Sequence, residues 1–188
     1  MAVADRYTRF ARSDLSSTDA AELGQVDQLA DQLRRYLDER TKDIAAVHVF
    51  GAQSRAVQGL VGNLLRDQLG FGEERVIPAD GGLVTQARPD FFYRLSEDSG
   101  IIAEVERGGT TTNNHDLKDL WKAHISPDAR HLFLVVPVTN TNEEGRVREH
   151  PFRAVSRRMA TFFGDPRREV DVVSVHVFGY GARENAEE

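Results

Sequence analysis

The strongest restriction on the fold comes from the unbroken apolar segment HLFLVVPV at residues 131–138. Such a run of β-branched and aromatic residues, without alternating polar positions, is typical of a strand that is covered on both faces. A strand of this kind lies inside a sheet that has helices packed against it. The segment therefore predicts an α/β sandwich.

The flanking sequence supplies the other elements of the sandwich. Apolar residues at helical spacing predict amphipathic helices over residues 21–40, 54–69 and 114–125. Strands are predicted over 89–95 and 100–107, joined by the turn SEDSG. The remaining predicted elements are a strand or connecting segment at 44–50, a strand at 82–86, a helix at 148–163 and a strand at 170–178. This succession predicts an αβββαβ core with a mixed central sheet, an N-terminal helix and a C-terminal helix–strand extension.

The size of the chain fits one domain. It has 188 residues, 40% of them apolar, which is enough for a single hydrophobic core. We find no internal repeat and no linker, so residues 1–188 are predicted to form one domain. The ends, residues 1–20 and 180–188, are predicted to be flexible.

Composition excludes several classes of protein. There is no cysteine, which excludes disulfides, thiol catalysis and thiolate zinc sites. No apolar run approaches the ~20 residues that span a bilayer, and the N-terminus lacks a signal-peptide core, so a cytoplasmic location is expected. The net charge of −6 argues against a nucleic-acid coat protein. It is compatible with an enzyme whose acidic site binds cations.

Three carboxylates are predicted to share one face of the sheet. Glu104 and Glu106 are one residue apart in a strand, so both side chains project to the same side. The antiparallel neighbouring strand can bring Asp90 to that face. Clustered carboxylates repel one another unless a cation lies among them, and oxygen ligands suit Mg²⁺ or Mn²⁺. The alternative is an ordinary half-exposed strand whose acids pair with Arg94 or Arg107.

RPDFFY followed by IIAEVERGG resembles the PD-(D/E)xK nuclease superfamily, which has the restriction-endonuclease-like fold. The resemblance covers roughly residues 53–138. It implies that Asp90 and Glu104 bind Mg²⁺, for which Mn²⁺ substitutes, with help from the carbonyl of Val105. It further implies a Mg²⁺-dependent endonuclease of restriction or defence type that hydrolyses DNA, double-stranded DNA above all. A homodimer formed through the N-terminal helix is also expected.

The third position of the motif departs from the usual pattern. It holds Glu106 where most members have lysine, so the motif reads PD…ExE. BamHI-like members carry glutamate there and are active, which would make Glu106 a water-activating base or a second metal ligand. Other members place the amine on the following helix, where Lys118 and Lys122 lie one turn apart and Lys118 is predicted to be nearer the acids. The third alternative is an inactive nucleic-acid-binding or assembly module that kept the fold.

Polar and basic segments around the acids are candidate nucleic-acid contacts. The segment GGTTTNN after the acids predicts helix capping, contacts to phosphate or base edges, or both. An arginine-rich segment near the C-terminus suits phosphate recognition, although a solubilising helix face would look the same. The candidates are Thr110, Thr111, Thr112, Asn113, Asn114, Arg146, Arg148, Arg153 and Arg157.

The remaining aromatic and histidine residues are not candidates for catalysis or metal binding. Trp121 and His124 share the apolar stripe of their predicted helix, so they are expected in the core. The histidines show no metal-ligand spacing, which leaves zinc chemistry unsupported.

Overall fold

The computed structural model describes residues 6–51, 54–73, 88–165, 167–168 and 170–181. The strands are β1 (Tyr7–Ala11), β2 (Gly72–Glu73), β3 (Phe91–Ser96), β4 (Ser99–Val105), β5 (His131–Pro137), β6 (Asn140–Thr141), β7 (Val147–Glu149) and β8 (Ser174–Tyr180). The helices are α1 (Ser17–Glu39), α2 (Thr41–Val47), α3 (Ser54–Asp67), α4 (His115–Ile125) and α5 (Pro151–Met159).

In the described part of the chain, six strands form one mixed sheet in the order β1-β8-β5-β4-β3-β2. β4, β5 and β8 run parallel, whereas β3, β2 and β1 are antiparallel to their neighbours. The short strands β6 and β7 pair separately. The predicted α/β architecture with a mixed central sheet flanked by helices is confirmed.

The sheet separates two hydrophobic clusters. Ile101 and Ala103 of β4 belong to the cluster that contains the buried residues of α1 and α3. Ile102 lies in the other cluster, with Leu120 of α4 and Val155 of α5. Because side chains alternate along a strand, Glu104 follows Ile102 onto the face covered by α4.

The N-terminal segment is ordered where flexibility was predicted. Residues 7–11 form β1, which pairs with β8 in the register Tyr7↔Phe178 to Ala11↔Ser174. α1 begins directly afterwards, at a capping box between Ser16 and Asp19. The prediction of a flexible 1–20 segment is therefore wrong for this part.

Several other boundaries differ from the predictions. The 44–50 segment is not a strand, because α2 continues to Val47. The helix predicted at 148–163 is the shorter α5, and β7 occupies the residues before it. The predicted strand at 82–86 and residues 182–188 of the end predicted to be flexible (180–188) lie outside the described residues. Tyr180, at the start of that end, is instead the buried last residue of β8.

The apolar stripe of α1 packs against the core of the domain. Leu23, Val26, Leu33 and Leu37 are buried in the core cluster on its side of the sheet. This stripe is therefore not free to form the two-fold interface expected for the N-terminal helix. Within the described part of the chain, no helix is both long enough and apolar enough to cross a lipid bilayer.

Candidate active site at the carboxyl edge of the sheet

Asp90 and Glu104 are held side by side by the β3–β4 pairing. Phe91 pairs with Ala103, so the residue before β3 lies opposite Glu104. The backbone N–H of Asp90 donates to Glu104 Oε2 (3.2 Å), and the N–H of Val105 donates to Asp90 Oδ2 (3.0 Å). This reciprocal pair of hydrogen bonds fixes both carboxylates at the end of β4, as the sequence predicted.

Lys122 of α4 joins this pair of acids. Its Nζ lies 2.8 Å from Glu104 Oε1 and 2.9 Å from Asp119 Oδ1. Lys118, predicted to be the nearer lysine, is exposed. The reason is the orientation of α4, whose buried residues Asp116, Asp119, Leu120 and Ala123 define a face pointing away from Lys118. The prediction for Lys118 is wrong, and Lys122 takes its place.

Burial of these acids perturbs their protonation. Glu104 and Asp119 are each only 2% exposed. Burial, reinforced by repulsion from Asp119 and Asp90, raises the pKa of Glu104 well above its usual range despite Lys122. Burial also raises the pKa of Asp119, with Glu106 and Asp90 adding to the effect. For Lys122, burial alone would lower the pKa, but the two carboxylates outweigh it and raise the pKa.

Glu106 lies beside the cluster and has a partner of its own. His115 Nδ1 is 2.8 Å from Glu106 Oε2. The backbone of Glu106 is fixed by its N–H donating to Val135 O (2.9 Å) and by Tyr180 Oη donating to its carbonyl (2.8 Å). The structure thus brings Asp90 and Glu104 together but holds Glu106 against a histidine.

Two members of the cluster, Asp119 and His115, were missed by the sequence analysis. Asp119 has a detectable signal, because it lies three residues before Lys122 on a helix and so shares a side with it. His115 gives no comparable signal, since its contact with Glu106 depends on the path of the eight residues between them.

The carboxylates do not form a closed metal cage. Among the side chains that the structure describes, no group of three or more acidic and histidine residues is arranged to hold a metal ion. Lys122 occupies the space between Glu104 and Asp119, and Asp90 is turned toward the N–H of Val105. One oxygen, Asp119 Oδ2, is buried and has no hydrogen-bond partner among the residues that the structure describes.

The GGTTTNN segment is held by an arginine that the sequence analysis did not select. Arg158 of α5 donates to the Thr111 carbonyl (3.2 Å), to Asn114 Oδ1 (3.2 Å) and to the buried Asp116 (2.9 Å). Asn114 is the N-cap residue of α4 but has φ 55° and makes no capping hydrogen bond through its side chain. Thr110 is 1% exposed, which removes it from the surface as a nucleic-acid contact. Side-chain capping and a Thr110 contact are therefore wrong predictions.

The other predicted nucleic-acid contacts remain at the surface. Arg146 is widely exposed and pairs with Glu144 at 3.0 Å. The remaining exposed candidates are Thr112, Asn113, Arg148, Arg153 and Arg157.

Trp121 and His124 are not in the core, contrary to the prediction. Trp121 is 47% exposed. His124 is also exposed, and its Nδ1 accepts a hydrogen bond from the N–H of Asp171 (3.0 Å). α4 buries acids at positions where an ordinary amphipathic helix buries apolar residues, so its apolar stripe does not mark its buried face.

No family model, no curated protein and no solved structure matches this chain.

Proposed function

We propose that this chain is a divalent-metal-dependent nuclease that hydrolyses phosphodiester bonds in DNA, with Asp90, Glu104 and Lys122 at the centre of its active site. The observation that carries the proposal is the buried carboxylate of Glu104. It is bonded at once to the backbone of Asp90 and to the ammonium of Lys122. Burying this many ionisable groups costs folding free energy, and strongly perturbed groups gathered at one edge are characteristic of functional sites.

The donor set suits Mg²⁺ or Mn²⁺. Asp90, Glu104, Glu106 and Asp119 bring four carboxylates to one region, against one lysine and one histidine. Mg²⁺ is commonly bound through one or two carboxylates together with water and substrate phosphate, so a closed protein cage is not required. Asp90 and Glu104 would hold the ion, and the Val105 carbonyl is the expected third ligand. When bound, the ion neutralises charge on the phosphate and lowers the pKa of coordinated water.

The protein groups have separate roles in the proposed hydrolysis. Lys122 Nζ supplies positive charge beside the phosphate and holds the Glu104 carboxylate in place. Glu106 accepts the proton of the attacking water, and its contact with His115 orients its carboxylate. The water oxygen bonds to phosphorus, the bond to the leaving oxygen breaks, and that oxygen takes up a proton.

The chain order supports placing this protein with the PD-(D/E)xK nucleases. A helix, α3, is followed by the antiparallel strands β2, β3 and β4, then by α4 and the parallel strand β5. The acids lie at the start of β3 and the end of β4. The amine comes from the following helix, which matches the members of that superfamily whose lysine is displaced from the strand.

A cleavage assay on circular single-stranded DNA and on duplex plasmid, each with Mg²⁺ or Mn²⁺, tests the proposal. The wild type is expected to cut, and Glu104→Gln, which keeps the shape of the side chain, should lower the rate by about a hundredfold or more. Glu97→Gln in the exposed β3–β4 turn is the matched control and should leave the rate unchanged. Chelation of the metal should abolish cutting. Cleavage that survives Glu104→Gln would overturn the assignment of this site.

The second candidate is a catalytically silent nucleic-acid-binding or assembly module. The Lys122 ammonium between Glu104 and Asp119 favours it, because the lysine already neutralises part of the charge that a metal would neutralise. A folded wild type that binds DNA but never cuts it with either metal would support this module. The homodimer implied by the resemblance stays a prediction, which sedimentation velocity tests.

A further inference from the structure

A second feature lies beyond the carboxyl end of β4, near the candidate active site. It is a cleft of about 190 Å³ whose described lining comes from three segments: the residues after α2, the residues after β4, and the β6–β7 pair. Its chemically distinctive residues are Phe50, Arg107, Asn140, Arg148 and Glu149. We call it the Phe50–Arg107 cleft.

The cleft is locally positive in a chain whose net charge is −6. Arg107 and Arg148 contribute two positive charges. Glu149 contributes one negative charge, and its carboxylate accepts a hydrogen bond from the Asn140 amide (2.8 Å). An excess of guanidinium groups favours an anion, and the planar fork of arginine suits phosphate.

Arg107 is positioned in advance for this role. Its Nη2 donates to the carbonyl of Val49, and its own carbonyl accepts from Asn140 Nδ2 (3.2 Å). Its Nε is buried and has no hydrogen-bond acceptor in the described part of the chain. The guanidinium is therefore held in place at the wall of the cleft.

An aromatic ring is exposed beside these charges. Phe50 is 55% exposed and Val49 is 51% exposed, although both are large and apolar. A ring next to guanidinium groups offers a base a stacking surface while its phosphate contacts arginine. Bases in a duplex are already stacked on their neighbours, so this surface selects an unpaired base.

The cleft and the acids are linked through adjacent residues. Glu106 and Arg107 follow each other along the chain, so their Cα atoms lie ~3.8 Å apart. Glu106 contacts His115 of α4, whereas Arg107 contacts Val49 beyond α2. A strand crossing this edge of the sheet can place one phosphate at the acids and a neighbouring nucleotide in the cleft.

We propose that the Phe50–Arg107 cleft binds a single strand of nucleic acid next to the candidate active site, with Arg107 and Arg148 on phosphate and Phe50 stacked on an unpaired base. This inference rests on the proposed nuclease function. It names an unpaired substrate in place of the duplex that the sequence favoured.

Fluorescence anisotropy tests the proposal without cleavage. A labelled deoxyoligonucleotide of about 12 nucleotides and its matched duplex are titrated with the full chain in the presence of a chelator. The single strand should bind at least about tenfold more tightly. Phe50→Ser should weaken single-strand binding at least about fivefold. Arg148→Gln should reduce the slope of log affinity against log salt by about 0.7, the value for one phosphate contact on a single strand.

Two substitutions serve as matched controls. Trp121→Ser removes an exposed ring outside the cleft, and Arg35→Gln removes an exposed charge on α1; neither should change single-strand binding. Duplex binding as tight as single-strand binding, or equal losses in Phe50→Ser and Trp121→Ser, would overturn the inference. These outcomes are separate from the cleavage test. Cutting with no role for the cleft would defeat this inference alone, and cleft-dependent binding without cutting would defeat the nuclease proposal alone.

Discussion

The protonation of Glu104 is subject to opposing electrostatic effects. Its burial and the neighbouring Asp119 and Asp90 favour the protonated form, whereas Lys122 favours the carboxylate. The ammonium is shared between Glu104 and Asp119, so removing it leaves two buried acids without a cation. Such acids take up protons instead of remaining charged.

Lys122→Met should therefore destabilise the protein in a pH-dependent way. Near pH 8 we expect a loss of about 3–5 kcal/mol in the free energy of unfolding, the cost of breaking a buried ion pair. The folded-state pKa values of both acids then lie further above their unfolded values, so the folded state binds more protons and stability falls as pH rises. The loss should shrink toward pH 6. Urea unfolding at both pH values measures this.

Lys118→Met is the matched control for that substitution. It removes an exposed lysine of the same helix and should change stability by less than about 0.5 kcal/mol. Equal losses for Lys118→Met and Lys122→Met would contradict the ion-pair geometry.

The acids of the site could be predicted from the sequence, whereas the lysine that contacts them could not. Asp90 and Glu104 were predictable because strand alternation and hairpin pairing fix their relative positions. Lys118 and Lys122 are one turn apart, and only the rotation of α4 about its axis separates them. That rotation depends on burial of Asp116 and Asp119, which a polar–apolar pattern assigns to the surface.

At the scale of elements, the β3–β4 hairpin positions the acids, and Gly100 allows its close packing. A Cβ at Gly100 would lie 2.4 Å from Phe92 Cζ, 2.7 Å from the Tyr93 carbonyl oxygen and 2.9 Å from the Asp128 carbonyl oxygen. Two of these neighbours are backbone atoms, which cannot move aside as a flexible side chain can. Only glycine fits at this position, because a Cβ atom would overlap these neighbours.

Gly100→Ala should consequently destabilise the domain by about 1–3 kcal/mol through overpacking. Gly24→Ala in the middle of α1 is the matched control. No atom of the described residues lies within 4 Å of a Cβ at that position, and the exchange should stabilise by roughly 0.5–1 kcal/mol through helix propensity. Thermal or urea unfolding of the two variants should give shifts of opposite sign. A neutral Gly100→Ala would mean that the hairpin packs more loosely than described.

The elements differ in how clearly the sequence predicts them. The 131–138 run predicted β5 almost to the residue, because full burial leaves a continuous apolar signal. β1 was missed because it is a short, half-exposed strand, and its partner β8 lies at the far end of the chain. The 44–50 run was ambiguous for a related reason: a short apolar stretch fits one turn of helix as well as a strand.

At the scale of the whole molecule, a hydrogen-bonded chain with two buried histidines connects α1, β1, β5 and β8. Glu22 Oε1 lies 3.0 Å from His131 Nε2, and Ser174 Oγ lies 2.8 Å from His131 Nδ1. Ser174 Oγ is also 3.0 Å from His176 Nε2, and Tyr7 Oη is 2.8 Å from His176 Nδ1. Both histidines are 0% exposed. β1 and β8, the first and last of the described strands along the chain, are therefore joined through groups that titrate.

This chain should make global stability sensitive to acid. Burial, with the nearby charges of His131 and Arg9, lowers the pKa of His176 to about 3, whereas an unfolded histidine has a pKa of about 6.5. Between these pKa values the unfolded state binds a proton that the folded state does not bind. The free energy of unfolding therefore falls as the pH drops through this window. From near pH 7.5 to near pH 5.5, the protonation of His176 in the unfolded state alone should lower the free energy of unfolding by about 1.4 kcal/mol.

Urea unfolding of His176→Gln at both pH values tests this, with the exposed His124→Gln as the control. On acidification, His176→Gln should lose less stability than the wild type, by about that amount. If His176→Gln and the wild type lose stability in parallel, the acid sensitivity arises outside this chain of hydrogen bonds.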